Sequence, residues 1–323
     1  MVNAMNTIPS TFNEYQIDRT VLGGKQQNPN AQLDLSVIML NSNGSHLKGQ
    51  YLENLLNCGV SSVVSVEPNA ESYSIEDVSR RFPAVKFLIP REKTTDGVLI
   101  NMAMSELNSK YVLVLRDSIH IPAGFLSKNL VENLIETDVY CIVPRLLSNG
   151  GTALITNFSP SAIHGSFRML PNQVTMDGLP TLYPFNFVGL YNREKFIRLG
   201  GFDYTITSPY WQNADLSVRS WVWGEKTVVT TKFQLSYIDE VPLEDTKPDL
   251  SYLRFYLKNI LPKFRADHGQ FSYFSFPLFF FKSSCGIFEA FSQFREAKNW
   301  VSKNKYRFQR DIQYLIENWT DLK

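Results

Sequence analysis

Apolar positions along this chain fall in short runs broken by polar, glycine-marked stretches, and the period of the runs alternates. "LDLSVIML" (33–40) is a continuous apolar run ended by the turn-forming "NSNGS" (41–45), which predicts a strand and a loop. In "LKGQYLENLLNCG", Leu47, Tyr51, Leu52, Leu55 and Leu56 share one helical face, and Gly59 ends the helix. "SSVVSVEPN" predicts a second strand ending at Glu67-Pro68, "SIEDVSRRF" a short helix, and "AVKFLIP" a third strand. "GVLINMAMSEL" then predicts a third helix and "YVLVL" a fourth strand. Strict alternation of this kind predicts an α/β fold with a mostly parallel sheet flanked by helices. Ligands of such sheets bind at the carboxyl ends of the strands, which here are Asn41–Asn43, Glu67, Arg91 and Arg116–Ser118.

The flanks differ from this centre. Residues 1–32 are polar, rich in Asn and Gln, and predict an N-terminal arm. Residues 146–187 are rich in Gly, Pro, Ser and Thr and show little periodicity, which predicts a long functional loop region. "FNFVGLYN" (185–192) predicts another buried strand, followed by helices in "REKFIRLGGFD" and "ADLSVRSWVWGEK" and a strand in "TVVTTKFQLSYID". From 241 the chain becomes helical and aromatic, with nine phenylalanines between 271 and 294. The expected organisation is therefore an arm (1–32), a sheet domain (33–240) with halves at 33–145 and 146–240, and a helical extension (241–323).

Charge and cysteine content narrow the class. The formal net charge of +1 gives no global pull toward nucleic acid, so no nucleic-acid partner is expected. Cys58, Cys141 and Cys285 form no CxxC pair, so neither a disulfide framework nor a thiolate zinc site is expected, and a reducing, cytoplasmic compartment fits. No basic start followed by an apolar run and no membrane-spanning apolar stretch occurs, so neither a secretory signal nor a spanning helix is expected.

The order of these elements resembles the family 2 glycosyltransferases with the GT-A fold, a Rossmann-type sheet, over residues 33–230. "LNSN" (40–43) stands where that family has a P-T-Y-N-like turn, and Glu67 where it has an acid that meets the nucleoside. Ile100-Asn101 stands at the A-R-N sequence, "YVLVLRDS" at the D-x-D ending, "LGGFD" (199–203) at G-G-F-D, and "WQNADLSVR" (211–219) at E-D-x-D-L-x-x-R. The resemblance implies transfer of a sugar from a nucleotide-sugar donor to a saccharide or glycolipid acceptor, with inversion. It implies donor binding by Asn41, Asn43, Glu67, Asn101, Arg116, Asp117 and Ser118, and a catalytic group of Asp203, Gln212 and Asn213.

The departures fall on the chemistry. Sugar transfer needs charge neutralised on the leaving diphosphate and a base for the acceptor hydroxyl. The family supplies the first with Mg²⁺ or Mn²⁺ on D-x-D carboxylates, which suit a hard cation. Here Arg116 and Ser118 flank the single acid Asp117, so a metal-independent mechanism is expected, with Arg116 as a fixed cation. The acids of the E-D pair are replaced by Gln212 and Asn213, and neither amide takes a proton near neutral pH. Asp215 is expected to pair with Arg219 four residues on. Two readings stay open: an altered enzyme, and a catalytically inactive binding or scaffold subunit on the same fold. The aromatic extension is expected to pack as core or as a homodimer face. Its basic residues between 295 and 310 are also compatible with peripheral contact to a membrane.

Overall fold

The computed structural model describes residues 12, 14–42, 48–68, 75–163, 166–283 and 286–322. Its strands are β1 (Arg19–Gly23), β2 (Leu33–Leu40), β3 (Val60–Val66), β4 (Val85–Pro90), β5 (Tyr111–Arg116), β6 (Cys141–Leu147), β7 (Asn157–Ile163), β8 (Ser166–Asn172), β9 (Leu179–Pro180), β10 (Gly189–Asn192), β11 (Thr227–Ser236), β12 (Lys263–Arg265) and β13 (His268–Gln270). Nine of these form one sheet in the order β1-β4-β3-β2-β5-β10-β6-β11-β9. Six of the nine (β2 to β6 and β11) run in one direction, and β1, β9 and β10 run against them. The mostly parallel α/β sheet expected from the periodicity is present.

Helices α1 (Lys48–Asn57), α2 (Ile75–Arg81) and α3 (Asp96–Ser105) make the crossovers of the first half. Alternate residues of each strand enter opposite apolar layers, as a two-residue period requires. Ile38, Val64, Val112 and Val114 join one core, and Val37, Val63, Leu113 and Leu115 the other. β2 is the branch point. Its neighbour β3 follows it directly, while β5 on its other side comes after two further crossovers. The gap between the carboxyl ends of β2 and β5 is thus the topological switch point, where ligands of open α/β sheets bind.

Three local expectations are corrected. Arg19–Gly23, read as part of a polar arm, forms the antiparallel edge strand β1 against β4. Its alternation is too short to stand out in an Asn-rich segment. The long loop region 146–187 contains the β7–β8 hairpin, whose pattern is masked by Pro160 and Pro171. Only Gly189–Asn192 of the run 185–192 is strand; Phe185–Phe187 forms a tight turn.

The second half adds α4 (Lys128–Ile135), α5 (Arg193–Arg198) and α6 (Pro209–Val222), and the C-terminal region adds α7 (Leu250–Phe255), α8 (Phe276–Ser283), α9 (Ile287–Asn304) and α10 (Ile312–Asn318). The expected helical extension is present, and its buried aromatics enter the same apolar core as α6. Trp300 stacks on Trp223 with 5.8 Å between ring centroids, and Trp319 packs on Trp221 at 4.7 Å.

A buried ion network ties the extension down. α7 runs into one π-helical turn, Tyr256–Ile260, which carries Lys258. The Lys258 ammonium is fully buried, 2.8 Å from Asp203 and 3.1 Å from Asp215. Asp215 also pairs with Arg219 at 3.2 Å, the contact expected from their spacing. Burial alone would raise the Asp203 carboxyl. The Lys258 charge and the Thr205 N–H and hydroxyl outweigh it and hold the group below its ordinary range. A carboxyl with a lower pKa in the folded state stabilises the fold at neutral pH, and that stability is lost as acid titrates it. Lys258→Met leaves two buried carboxylates with one guanidinium. It is expected to lower the unfolding free energy by about 3–5 kcal/mol, read from urea denaturation at pH 7.

Candidate active site

Two strand ends meet at the switch point. β2 continues into Asn41 and Ser42, and β5 into Asp117 and Ser118. The Ser42 N–H donates to Asp117 Oδ2 at 2.8 Å, and the Ser42 hydroxyl to Oδ1 at 2.8 Å. Burial pushes the Asp117 carboxyl above its ordinary range, against the Ser42 bonds and the charges of Arg116 and Lys48. Arg116 donates to Asp96 Oδ2 at 2.6 Å and to the Asn186 carbonyl at 3.2 Å. Its guanidinium lies over the Phe187 ring at 5.7 Å. The Ser118 carbonyl accepts the Ile238 N–H at 2.9 Å, which pins the segment after β11 to this corner.

These residues wall a cleft of about 460 Å³, together with Asn186, Phe187, the start of α6 (Ser208–Tyr210) and the segment 240–245. Glu244 is the notable group in that segment, and the sequence reading missed it. Its carboxylate accepts from the Tyr183 hydroxyl at 2.8 Å and from the Asn186 N–H at 3.2 Å. Burial pushes it above the usual carboxylate range, although both bonds and the Arg116 charge pull the other way. Tyr210 is pushed up to about 12, by burial first and then by the Glu244 charge. The wall carries five carboxyl groups, Asp96, Asp117, Glu240, Glu244 and Asp245, against the one guanidinium of Arg116.

The backbone at the cleft is strained. Asn186 and Phe187 both have positive φ, 51° and 64°. For residues with a Cβ each such conformation costs on the order of 1–3 kcal/mol and persists only where the surroundings enforce it. Here Arg116 takes the Asn186 carbonyl, Glu244 its N–H, and Tyr237 accepts from its side-chain amide at 3.2 Å.

Of the expected donor-binding residues, Arg116, Asp117 and Ser118 line this cleft together. Asn41, half-buried, and Glu67, buried, form a separate cluster beside it. Glu67 lies 2.5 Å from the Lys48 ammonium and accepts from Ser65 at 2.8 Å. Asn43 lies outside the described residues. Asn101 does not reach the cleft: its side chain brackets Phe202, accepting the N–H at 2.9 Å and donating to the carbonyl at 2.8 Å.

The residues of the expected catalytic group do not line this cleft. Asp203 is fully buried and engaged by Lys258. Gln212 is fully buried too, donating to the Asp203 carbonyl at 2.9 Å and accepting the Gly97 N–H at 3.0 Å. A Cβ at residue 97 would lie 2.4 Å from Gln212 Oε1, so Gly97 is required for that approach. Asn213 donates to the Pro184 carbonyl at 2.7 Å, which fixes the turn before Asn186. Both amides act as donors to carbonyls, a role the carboxylates of the E-D pair cannot fill.

The cleft's donor set suits a divalent ion poorly. Asp117 spends both oxygens on Ser42, and Asp96 is held by a guanidinium. Among the described residues, no group of three or more His, Cys, Asp or Glu is arranged to hold a metal. The residues present do not fit an ion held as in the D-x-D family.

No protein-family model and no curated protein matches the chain. Solved structures do. One is GalNAc-T7 with UDP, GalNAc and Mn²⁺, at 13% identity and a TM-score of 0.56, covering 89% of this chain and 56% of that one. The chain thus spans little more than half the length of that protein. Another is the mannosyltransferase PcManGT from Pyrobaculum calidifontis with GDP-Man and Mn²⁺, at 12% identity and a TM-score of 0.45, covering 96% and 84%. The fold is of the GT-A glycosyltransferase type. At such identity the likeness extends to the fold and not to the chemistry.

Two stability measurements check these placements. Gln212→Glu removes the donor to the Asp203 carbonyl and buries a carboxyl there. It is expected to cost at least about 1–3 kcal/mol in denaturant unfolding, the usual penalty for an unsatisfied buried group. Glu244→Gln keeps a donor and an acceptor for Tyr183 and Asn186 but removes the buried charge. A carboxyl with a raised folded-state pKa loses stability as pH rises, so this variant is expected to melt above wild type at pH 7. That gain should shrink as the pH approaches 4.5, the ordinary value for Glu.

Proposed function

We propose that the chain is a nucleotide-sugar-dependent glycosyltransferase of the family 2 type, passing a sugar to a saccharide or lipid-linked acceptor with inversion. The observation that supports this reading is the cleft at the switch point, where Arg116 and Glu244 wall one cavity. In this mechanism the acceptor oxygen attacks the anomeric carbon as the bond to the diphosphate breaks. Glu244 takes the acceptor proton; a carboxylate raised by burial is a better base than an ordinary one. Arg116, and no resident metal, meets the charge of the diphosphate.

The same wall argues for slow turnover. Arg116 is already shared with Asp96, and the surrounding carboxyls oppose a diphosphate. Leaving-group stabilisation is often the largest single catalytic contribution, so turnover is expected below about 1 s⁻¹, the low end of ordinary enzymes. A second reading, a saccharide-binding subunit without turnover, draws on Gln212 and Asn213, which serve the fold where the family places acids.

Calorimetric titration with UDP- and GDP-sugars, with and without Mn²⁺, separates the two. The enzyme reading expects nucleotide-sugar binding that Arg116→Ala weakens roughly tenfold or more. Asp96→Asn, which frees the guanidinium, should tighten it. Glu244→Gln should leave binding intact and cut donor consumption by roughly 10²–10⁴-fold. Saccharide binding with no nucleotide-sugar binding would establish the second reading instead.

A further inference from the structure

The described aromatic side chains of the C-terminal region divide among buried, half-buried and exposed positions. Phe274 is 95% exposed and Phe288 90% exposed, with Tyr273, Ile287 and Phe291 about half exposed. Tyr273 and Phe291 belong to one ring cluster, and Phe274 and Phe288 protrude beside them in the chain. Phe294 beneath them meets Tyr273 at 6.3 Å and Phe276 at 5.2 Å, and Phe276 meets Phe291 at 5.7 Å. Ile287, Phe288 and Phe291 sit together on the first turns of α9 at helical spacing. An apolar tip of this kind has a partner more often than a scattered surface leucine does.

The charge beside it identifies the partner. Over residues 286–310 the sequence carries six basic residues against two acids, while the whole chain is nearly neutral at +1. On α9 the exposed face that starts with Phe288 and Phe291 continues through Arg295 to Lys303. Lys298 lies over the Tyr273 ring at 3.1 Å, which brings the basic stripe against the aromatic tip. Protruding rings flanked by cations match a bilayer with anionic headgroups, where rings enter the acyl boundary and cations stay at the phosphates. A second copy of this face would bring like charges together.

We propose that this aromatic and basic face, made by the turn Tyr273–Ser275 and helix α9, docks the protein peripherally on an anionic lipid bilayer. The docking does not depend on the transferase reading, and its test uses no sugar donor.

The test is co-sedimentation of the full chain with vesicles of phosphatidylcholine alone and of phosphatidylcholine mixed with phosphatidylglycerol. Wild type is expected to sediment with the mixed vesicles, less so at high salt, and to stay in solution with phosphatidylcholine alone. The double substitution Phe274→Ser and Phe288→Ser, at exposed positions, should reduce partitioning roughly tenfold or more. Arg295→Glu with Lys303→Glu should do the same and weaken the salt dependence. Circular dichroism and melting temperature near wild type for both variants would show that the loss is not misfolding. Wild type remaining in solution with mixed vesicles, or both variants sedimenting like wild type, would overturn the proposal. So would a concentration-dependent dimer in analytical ultracentrifugation that the phenylalanine substitutions dissolve, which assigns the face to a second copy.

Discussion

The loop "LGGFD" holds the molecule together, and a buried lysine makes that possible. Lys258 stands between Asp203 of the loop and Asp215 of α6, and Arg219 closes the set by donating to the Gly201 carbonyl at 2.5 Å. Two acids and two bases leave the network formally neutral, which is the condition for keeping charge out of water. α3 and the C-terminal region then attach to the same few residues. α3 reaches the loop through Asn101 and through Gly97 by way of Gln212. The C-terminal region reaches it through Lys258 and through Arg254, which donates to the Thr205 carbonyl at 2.6 Å. With a buried ion network as the anchor, hydrophobic burial around it fixes position, while the charges fix which elements meet.

That anchoring determines what the cleft contains. Gln212 and Asn213 are adjacent on α6, yet one holds the start of α3 and the other holds the turn at Pro184. α3 in turn presents Asp96 to Arg116, and the turn presents Asn186 to both Arg116 and Glu244. The two amides thus act at one remove. They set the walls of the cleft without entering it. An amide can both donate and accept; a carboxylate near neutral pH only accepts.

The fold was legible because it rests on periodicity. The runs that form β2 and β5 are apolar on both faces, and α1 is amphipathic enough to be read singly. The site was legible in part. Strand ends at a switch point are predictable places, and Arg116, Asp117 and Ser118 lie there. Asp203, Gln212 and Asn101 lie away from the cleft, because a motif reports a position in the chain and not what faces it. Nothing local shows that Lys258, 55 residues away, neutralises Asp203. Glu244 sits in "EVPLEDTKPD", a polar stretch with no period to read. Its signal was topological. β11 runs parallel to β6, so the residues after β11 emerge at the same edge as Arg116.

The turn at Asn186 and Phe187 bears on whether the cleft binds anything at all. Glycine at these two positions would relieve the strain at no steric cost. The side chains present instead are gripped by the cleft's own groups: Phe187 under the Arg116 guanidinium, and Asn186 by Glu244, Arg116 and Tyr237. Tyr183, next to the turn, spends its hydroxyl on Glu244 and stacks on Phe158 of β7 at 4.5 Å. The raised carboxyl of Glu244 is therefore held by a backbone N–H on one side and a fixed phenol on the other, with a cation near enough to act on it. A polar corner with no ligand gains nothing from holding its backbone away from its minimum. A corner that must hold a carboxylate still, at a raised pKa and beside a guanidinium, has a physical reason to do so.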